Sequence, residues 1–249
     1  ASGMARMGKI PFTASYAAFS PGRNWEQIKT TVALNDMPVK IVGAHAGLYT
    51  GPDGATHQML EDVALMRVMP NMTVIVPGDS MEAFKAAIAM SEDSRPGYLR
   101  LARDASPVMT TEATPFEIGK AYVYTPGKDL TIVANGTMTS VAMEAAEKLY
   151  KDGIDAEVIH CPTVKPLDAT TLLTSAKKTG HVITIEEAQV NGGLGGAVAE
   201  LLSENHPVPM IRMGIKDQYG QTGTPAALLE HYRVTPTHVM MNAHQLLGK

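Results

Sequence analysis

The chain has 249 residues, 45% of them hydrophobic, and a formal net charge of -4. That length and composition suit two soluble α/β-sized domains, each with a modest core. They exclude the basic patch of a nucleic-acid surface, and no apolar stretch approaches the roughly 18 residues that span a membrane. The single cysteine, Cys161, cannot form an internal disulfide and has no metal-ligand spacing around it. It reads as a small buried residue, which fits a cytoplasmic chain. No secretory signal pattern is visible. Ala1 falls inside what reads as a helix end around Met4 to Met7, so further residues are expected upstream.

In chain order, Lys9 to Ala14 reads as a short strand, with Pro11 at its start or edge. Asn24 is placed to cap a helix running past Trp25, Ile28 and Leu34, with Gln27 completing a capping box. Strands are expected at Val39 to Ala44, Met72 to Val76 and Tyr98 to Ala102, and helices at Glu61 to Arg67 and after Asp79 or Ser80. Asp104 to Pro115 is rich in Ser, Thr and Pro, has no clean period, and reads as a linker. Beyond it, strands are expected at Leu130 to Ala134, Ala156 to His160, His181 to Ile185 and Pro209 to Met213. Helices are expected after Asn135-Gly136-Thr137 up to Gly153, at Thr170 to Lys178, at Gly192 to Glu204 and at Pro225 to His231. Strands alternating with helices at this spacing imply an α/β fold of two parallel-sheet domains, residues 1–112 and 113–249.

The densest polar cluster follows the strand ending at Ala44. It carries His45, Asp53 and His57 among Gly43, Gly47, Gly51 and Gly54. Ligands of parallel α/β sheets bind at the carboxyl ends of strands. Two histidines and a carboxylate on a glycine-rich loop can move protons and bind hydroxyls near neutral pH. The spacing fits no standard metal site, and the plain alternative is a turn-rich surface loop. Arg100 and Arg103 flank a strand end. Arg100 reads first as a surface ion pair with Asp104 or Glu61, and Arg103, beyond the strand, as an anion clamp. Tyr16 and Phe19, three residues apart, offer either core packing or a stacking wall for a planar ring. Glu186-Glu187 precede a glycine-led helix start, which can bind an anion. The dinucleotide spacing fails there because Val198 takes the third glycine's place, and close helix–sheet packing is the simpler use.

The run GLYTGPDGATHQMLEDVALMRVMPNMTVIVP resembles the pyrimidine-binding domain of transketolases. GKIPFTASYAAF, PGYLRLARD and KPLD, then EEAQVNGGLGGAVAELL, extend the likeness over almost the whole chain, and the second half looks like the transketolase C-terminal domain. Deoxyxylulose-phosphate synthases are less similar, with R-Y-P-R where this chain has RLARD. The β subunits of 2-oxoacid dehydrogenases lack the D-G-x-T-H core. There is no room for the large diphosphate-binding domain of single-chain transketolases, so the resemblance is to the separate small chain of split enzymes.

That resemblance implies ketol transfer between sugar phosphates with thiamine diphosphate and Mg2+, the metal and diphosphate being held mainly by a large partner chain in an α2β2 heterotetramer. The family's glutamate that contacts the aminopyrimidine is expected upstream of Ala1. By position, Phe19 matches the aromatic packed on that ring, and Tyr16 stands where Phe is usual. His45 and Arg103 match residues holding the sugar phosphate. Asp53 matches a carboxylate reading a substrate hydroxyl, and His57 a histidine beside the reacting carbonyl. Ala55 stands where Pro is common. A related thiamine enzyme half, or a non-catalytic partner-binding chain, remains the alternative.

Overall fold

The computed structural model describes residues 1–249. Two five-stranded sheets form the frame, and helices cover them. After the short helix α1 (Ser2–Arg6), the first half supplies β1 (Phe12–Tyr16), β2 (Lys40–Ala44), β3 (Thr73–Ile75) and β4 (Gly97–Arg100), all mutually parallel. Helices α2 (Trp25–Gln27), α3 (Asp62–Arg67) and α4 (Ser80–Glu92) connect them. No regular element lies between Leu101 and Ala121.

The second half contributes β5 (Tyr122–Thr125), β6 (Leu130–Ala134), β7 (Ala156–His160), β8 (Thr163–Lys165), β9 (Val182–Gln189) and β10 (Met210–Ile215). Its helices are α5 (Met138–Lys151), α6 (Ala169–Thr179), α7 (Leu194–Asn205), α8 (Pro225–His231) and α9 (Pro236–Leu247). The sheet orders are β1-β2-β4-β3-β8 and β10-β9-β6-β7-β5.

Each sheet is parallel except at one edge. β5 runs antiparallel to β7, and β8 runs antiparallel to β3. The sequence predicts purely parallel sheets and misses both strands, which are four and three residues long. β8 has a structural consequence. The chain leaves the second sheet at His160 and, three residues on at Thr163, pairs with the edge of the first. That covers an edge which would otherwise offer unpaired backbone groups.

The cores interlock as well. Leu48 and Leu60, from the first half, are fully enclosed with Leu130, Ile132, Ile185 and Leu228 of the second. Val164, Ala188 and Ala197, from the second half, pack with Val39, Ile41 and Val74 of the first. Each large aliphatic side chain buried this way contributes about 1.5–3 kcal/mol, so the halves are joined by more than a linker.

The helix expected from Asn24 departs from its sequence reading. Asn24 makes no cap bond. Its amide donates instead to the Ser20 hydroxyl at 3.3 Å, and Gln27 donates to Glu26 at 2.6 Å rather than closing a capping box. Asn24 has φ -106° and ψ 18°, not the extended backbone that aims an N-cap side chain at the next turn. The Thr30 and Thr31 hydroxyls donate to carbonyls four residues back. Such back-bonding bends helices, and the segment widens into a π turn at Ile28–Val32 and ends in a 3-10 turn at Ala33–Asn35. Asp79 does cap α4, accepting from the Glu82 amide at 2.8 Å.

Candidate functional site

Parallel strands β1 and β2 end side by side, with Tyr16 in register with Ala44. The residues that follow therefore emerge together at one edge of the sheet. His45 takes a left-handed backbone (φ 53°), which swings its ring back over β1. There it stacks on Tyr16 with ring centroids 4.0 Å apart and planes 12° from parallel. Phe19 lies 6.1 Å from Tyr16 in a near-parallel arrangement. His57 meets both aromatic rings edge-on, 5.9 Å from Tyr16 and 5.5 Å from Phe19. Four residues read separately from the sequence thus form one aromatic and imidazole cluster.

The loop between the histidines is a pair of tight 3-10 turns, Leu48–Asp53, broken at Gly51. Gly47, Gly51 and Gly54 all have positive φ, the region that glycine alone enters freely. Gly47 is also a point of closest approach. A Cβ there would stand 2.6 Å from both Arg100 Nη2 and Glu187 Oε1. The Thr50 hydroxyl donates to the His45 carbonyl at 2.6 Å, folding the loop onto itself. Gln58 closes it from the other end, its amide donating to the carbonyls of Gly51 at 2.7 Å and Gln221 at 2.8 Å. The second half therefore clamps the loop directly.

Arg103 leaves β4 and reaches this loop. Its guanidinium donates to the Thr50 carbonyl at 3.0 Å and pairs with Asp53 at 3.3 Å. Both side chains are about one-third exposed, at 36% and 30%, so the pair is open to exchange with an incoming anion or hydroxyl. The His57 Nδ1 lies 2.8 Å from the Thr56 hydroxyl, while the buried His45 Nδ1 has no partner. Phe19 is 44% exposed, an open apolar ring beside two imidazoles.

Arg100 is not the surface residue that its position in the sequence implies. It is buried, and it pairs with neither Asp104 nor Glu61. Its Nε donates to Asp62 at 2.9 Å, and Nη1 and Nη2 donate to the Glu187 carboxylate at 3.1 Å and carbonyl at 3.2 Å. The Tyr98 hydroxyl donates to the same Asp62 oxygen at 2.6 Å. The reason is the contact between halves: β9 closes over the end of β4 and removes it from water. Burial pushes the Glu187 carboxyl up to about 7, against the opposing pull of Arg100. Burial of Tyr49 beside Glu187 pushes its hydroxyl up to about 12. This ionic knot lies directly under Gly47 and sets the floor of the loop. The sequence reading missed Asp62 because an acid in the first turn of a helix usually serves the helix itself.

The glycine-led start of α7 is not open to an outside anion. The Glu186 carboxylate accepts from the Leu194 and Gly195 amides, both at 2.8 Å. Burial also pushes Glu186 up to about 7, with the two amides opposing.

Comparison with known proteins agrees with this architecture. Residues 1–108 match the transketolase pyrimidine-binding domain and residues 119–239 the transketolase C-terminal domain. The chain belongs to the transketolase family. It is 42% identical over 246 residues to the 6-deoxy-6-sulfo-D-fructose transketolase subunit SqwH of Clostridium sp., covering 99% of this chain and 76% of that one. It is 35% identical to one of the subunits of the apulose-4-phosphate transketolase of Phocaeicola vulgatus, covering 100% of this chain and 80% of that one. A solved structure of a split gene transketolase, an inactive beta4 tetramer, superposes with a TM-score of 0.94 at 43% identity, covering 100% of this chain and 80% of that one.

Proposed function

We propose that this chain is the small subunit of a split transketolase, moving a two-carbon ketol unit from a ketose to an aldose phosphate only when joined to a large subunit. The observation that carries the reading is the meeting of Tyr16, Phe19, His45 and His57 with the Asp53–Arg103 pair at the carboxyl ends of β1, β2 and β4. An open aromatic face, an unpartnered buried imidazole nitrogen and an exchangeable guanidinium suit a planar heterocycle next to a phosphorylated, hydroxylated substrate.

The residues present fit thiamine diphosphate: Phe19 and Tyr16 would flank its pyrimidine ring, while its diphosphate and Mg2+ would rest on the large subunit. When bound, it supplies the carbon nucleophile that the protein's own side chains lack. The chain's residues do the rest. Arg103 and His45 hold the substrate phosphate, and binding energy at that remote end orients the reacting end. Asp53, released from Arg103, accepts a hydrogen bond from a substrate hydroxyl and so selects its configuration. His57, with Nδ1 fixed by Thr56, presents Nε2 to the substrate oxygen and holds or moves its proton. That the related β-only tetramer is inactive fits a site completed by another chain. We place two small and two large subunits in the working assembly.

The test is ketol transfer by the chain mixed with its large partner, thiamine diphosphate and Mg2+, with each chain alone as control. Donors should include xylulose 5-phosphate, 6-deoxy-6-sulfofructose and apulose 4-phosphate, the last two because of what the relatives act on. Activity is expected only in the mixture, and His57→Ala should lower kcat by about a hundredfold. A well-formed complex that is inert with every ketose donor, yet condenses pyruvate with an aldehyde, would move the chain to the related thiamine enzymes.

A further inference from the structure

A second polar cavity, of about 380 Å³, opens between the end of β10 and helices α8 and α9. Its lining brings together Lys216, His231, Arg233 and His238 with Gln218 and Asn242, and includes no Asp or Glu. The chain as a whole carries -4, so this is a local reversal of sign. Neither Lys216 nor Arg233 takes part in any salt bridge of the chain. Two acids stand beside the cavity: Glu230, 69% exposed, lies 4.0 Å from His238 Nε2, and Asp217 lines an adjoining groove that shares Gln218 with the cavity.

The backbone adds to this. Arg233 follows the end of α8 with φ 60°, a left-handed position that glycine ordinarily takes after a helix. An arginine there forgoes the unstrained residue, and Arg233 is part of the cavity lining.

We propose that this cavity is a binding site for a small phosphate-bearing metabolite. Arg233 offers planar, forked donors and Lys216 a point charge, the two common ways of holding a phosphate. Gln218 supplies an amide for hydroxyls on the rest of the ligand, while Asn242, whose Nδ2 already donates to the His238 carbonyl at 2.7 Å, offers its side-chain oxygen. The site shares no lining residue with the histidine cluster. It is nonetheless connected to it, because α8 starts at Pro225 against Gly51 of the loop that bears Asp53 and ends at His231 in the cavity. The proposal does not depend on the catalytic reading.

The test is titration of the chain with inorganic phosphate, with sodium chloride at matched ionic strength and fixed pH as control. The imidazole proton signals of His231 and His238 are followed by NMR and assigned with His231→Gln and His238→Gln. A saturable shift of both signals with phosphate but not chloride is expected. The Lys216→Ala/Arg233→Ala double variant should weaken that binding by at least about tenfold, whereas Arg103→Ala should leave it unchanged. Glycerol phosphate should bind more tightly than inorganic phosphate. Thermal melting checks that the variants fold, and each single variant stands in if the double does not. The absence of a saturable shift, or the same dissociation constant in the double variant, overturns the proposal.

Discussion

Arg100 holds two buried carboxylates at once, Asp62 and Glu187. Removing a partner from a buried ion pair costs more than the pair itself contributes, because the remaining charge is stranded without water. Arg100→Met should therefore destabilise the chain by about 3–5 kcal/mol, read as a fall in the urea unfolding midpoint. Asp62→Asn/Glu187→Gln in the same background should recover part of the loss. The same knot gives a pH dependence. Burial raises both Glu186 and Glu187 from 4.5 to about 7 in the folded chain. The folded state then holds these protons more tightly than the unfolded state does. Stability is greatest below the unfolded value and declines as pH rises from there to about 7, opposite to a carboxylate whose value is depressed by folding. Glu187→Gln removes one such group, so stability measured by urea unfolding from pH 5 to 7 should fall less steeply, by up to about 1.4 kcal/mol per pH unit. An unchanged slope would mean that Arg100 keeps Glu187 ionised throughout.

Among the elements, α4 and the segment after β4 depend on one side chain. The Asp79 carboxylate caps α4 through the Glu82 amide at 2.8 Å. It also accepts from the Met109 amide at 2.6 Å and from the Thr110 amide and hydroxyl, both at 2.7 Å. These bonds hold its carboxyl below the usual carboxylate range even though burial works the other way. Asp79→Ala should cost about 2–4 kcal/mol, a cap plus charged hydrogen bonds. It should also speed amide hydrogen exchange at Met109 and Thr110 more than in β3 or β4. The cap was legible because Asp next to a helical pattern is a local signal. So were β6 and β7, which run at the predicted bounds with every residue buried. What the sequence hides at this scale is non-local. Nothing near Thr163 announces that it pairs with Ile75, and nothing near Arg100 announces that a strand nearly ninety residues later covers it. The site shows the same division. His45, Asp53 and His57 stand out as polar residues in a glycine-rich loop, whereas Asp62, Gln58 and Glu187, which support that loop, act across contacts that no local pattern encodes.

The whole chain has a domain-like division in sequence, but its halves are fastened at several places, three of them deeply buried. β8 completes the first sheet from the second half. The Arg100 knot joins β4 and α3 to β9. A third tie lies at the other side of the contact: His160 of β7 meets Glu82 of α4 at 2.7 Å, with its Nδ1 on the Thr139 hydroxyl at 2.7 Å, all of them buried. Glu82 also accepts from the Gly78 amide at 2.6 Å, so the imidazole completes a network that begins in the first half. Halves held only by a linker would unfold separately and drift apart once it was cut. Here, separation would expose the β3 edge, strand the buried Arg100 ion pairs, leave the buried Glu82 and His160 without each other, and open the shared cores around Leu48 and Val164. Each of those costs is of the order of the whole stability of a small domain divided by a few. A single cooperative urea transition is therefore expected for the intact chain. A specific protease site inserted in the exposed stretch around Pro107 and Val108 should, after cleavage, yield two fragments that still co-elute as one particle in size-exclusion chromatography. His160→Ala should shift the cleaved form toward dissociation more than the intact form toward unfolding, because the covalent linker no longer keeps the halves at high effective concentration. Fragments that separate freely in the otherwise unchanged sequence would show that the linker, not the buried contacts, holds the site loop between its two supports.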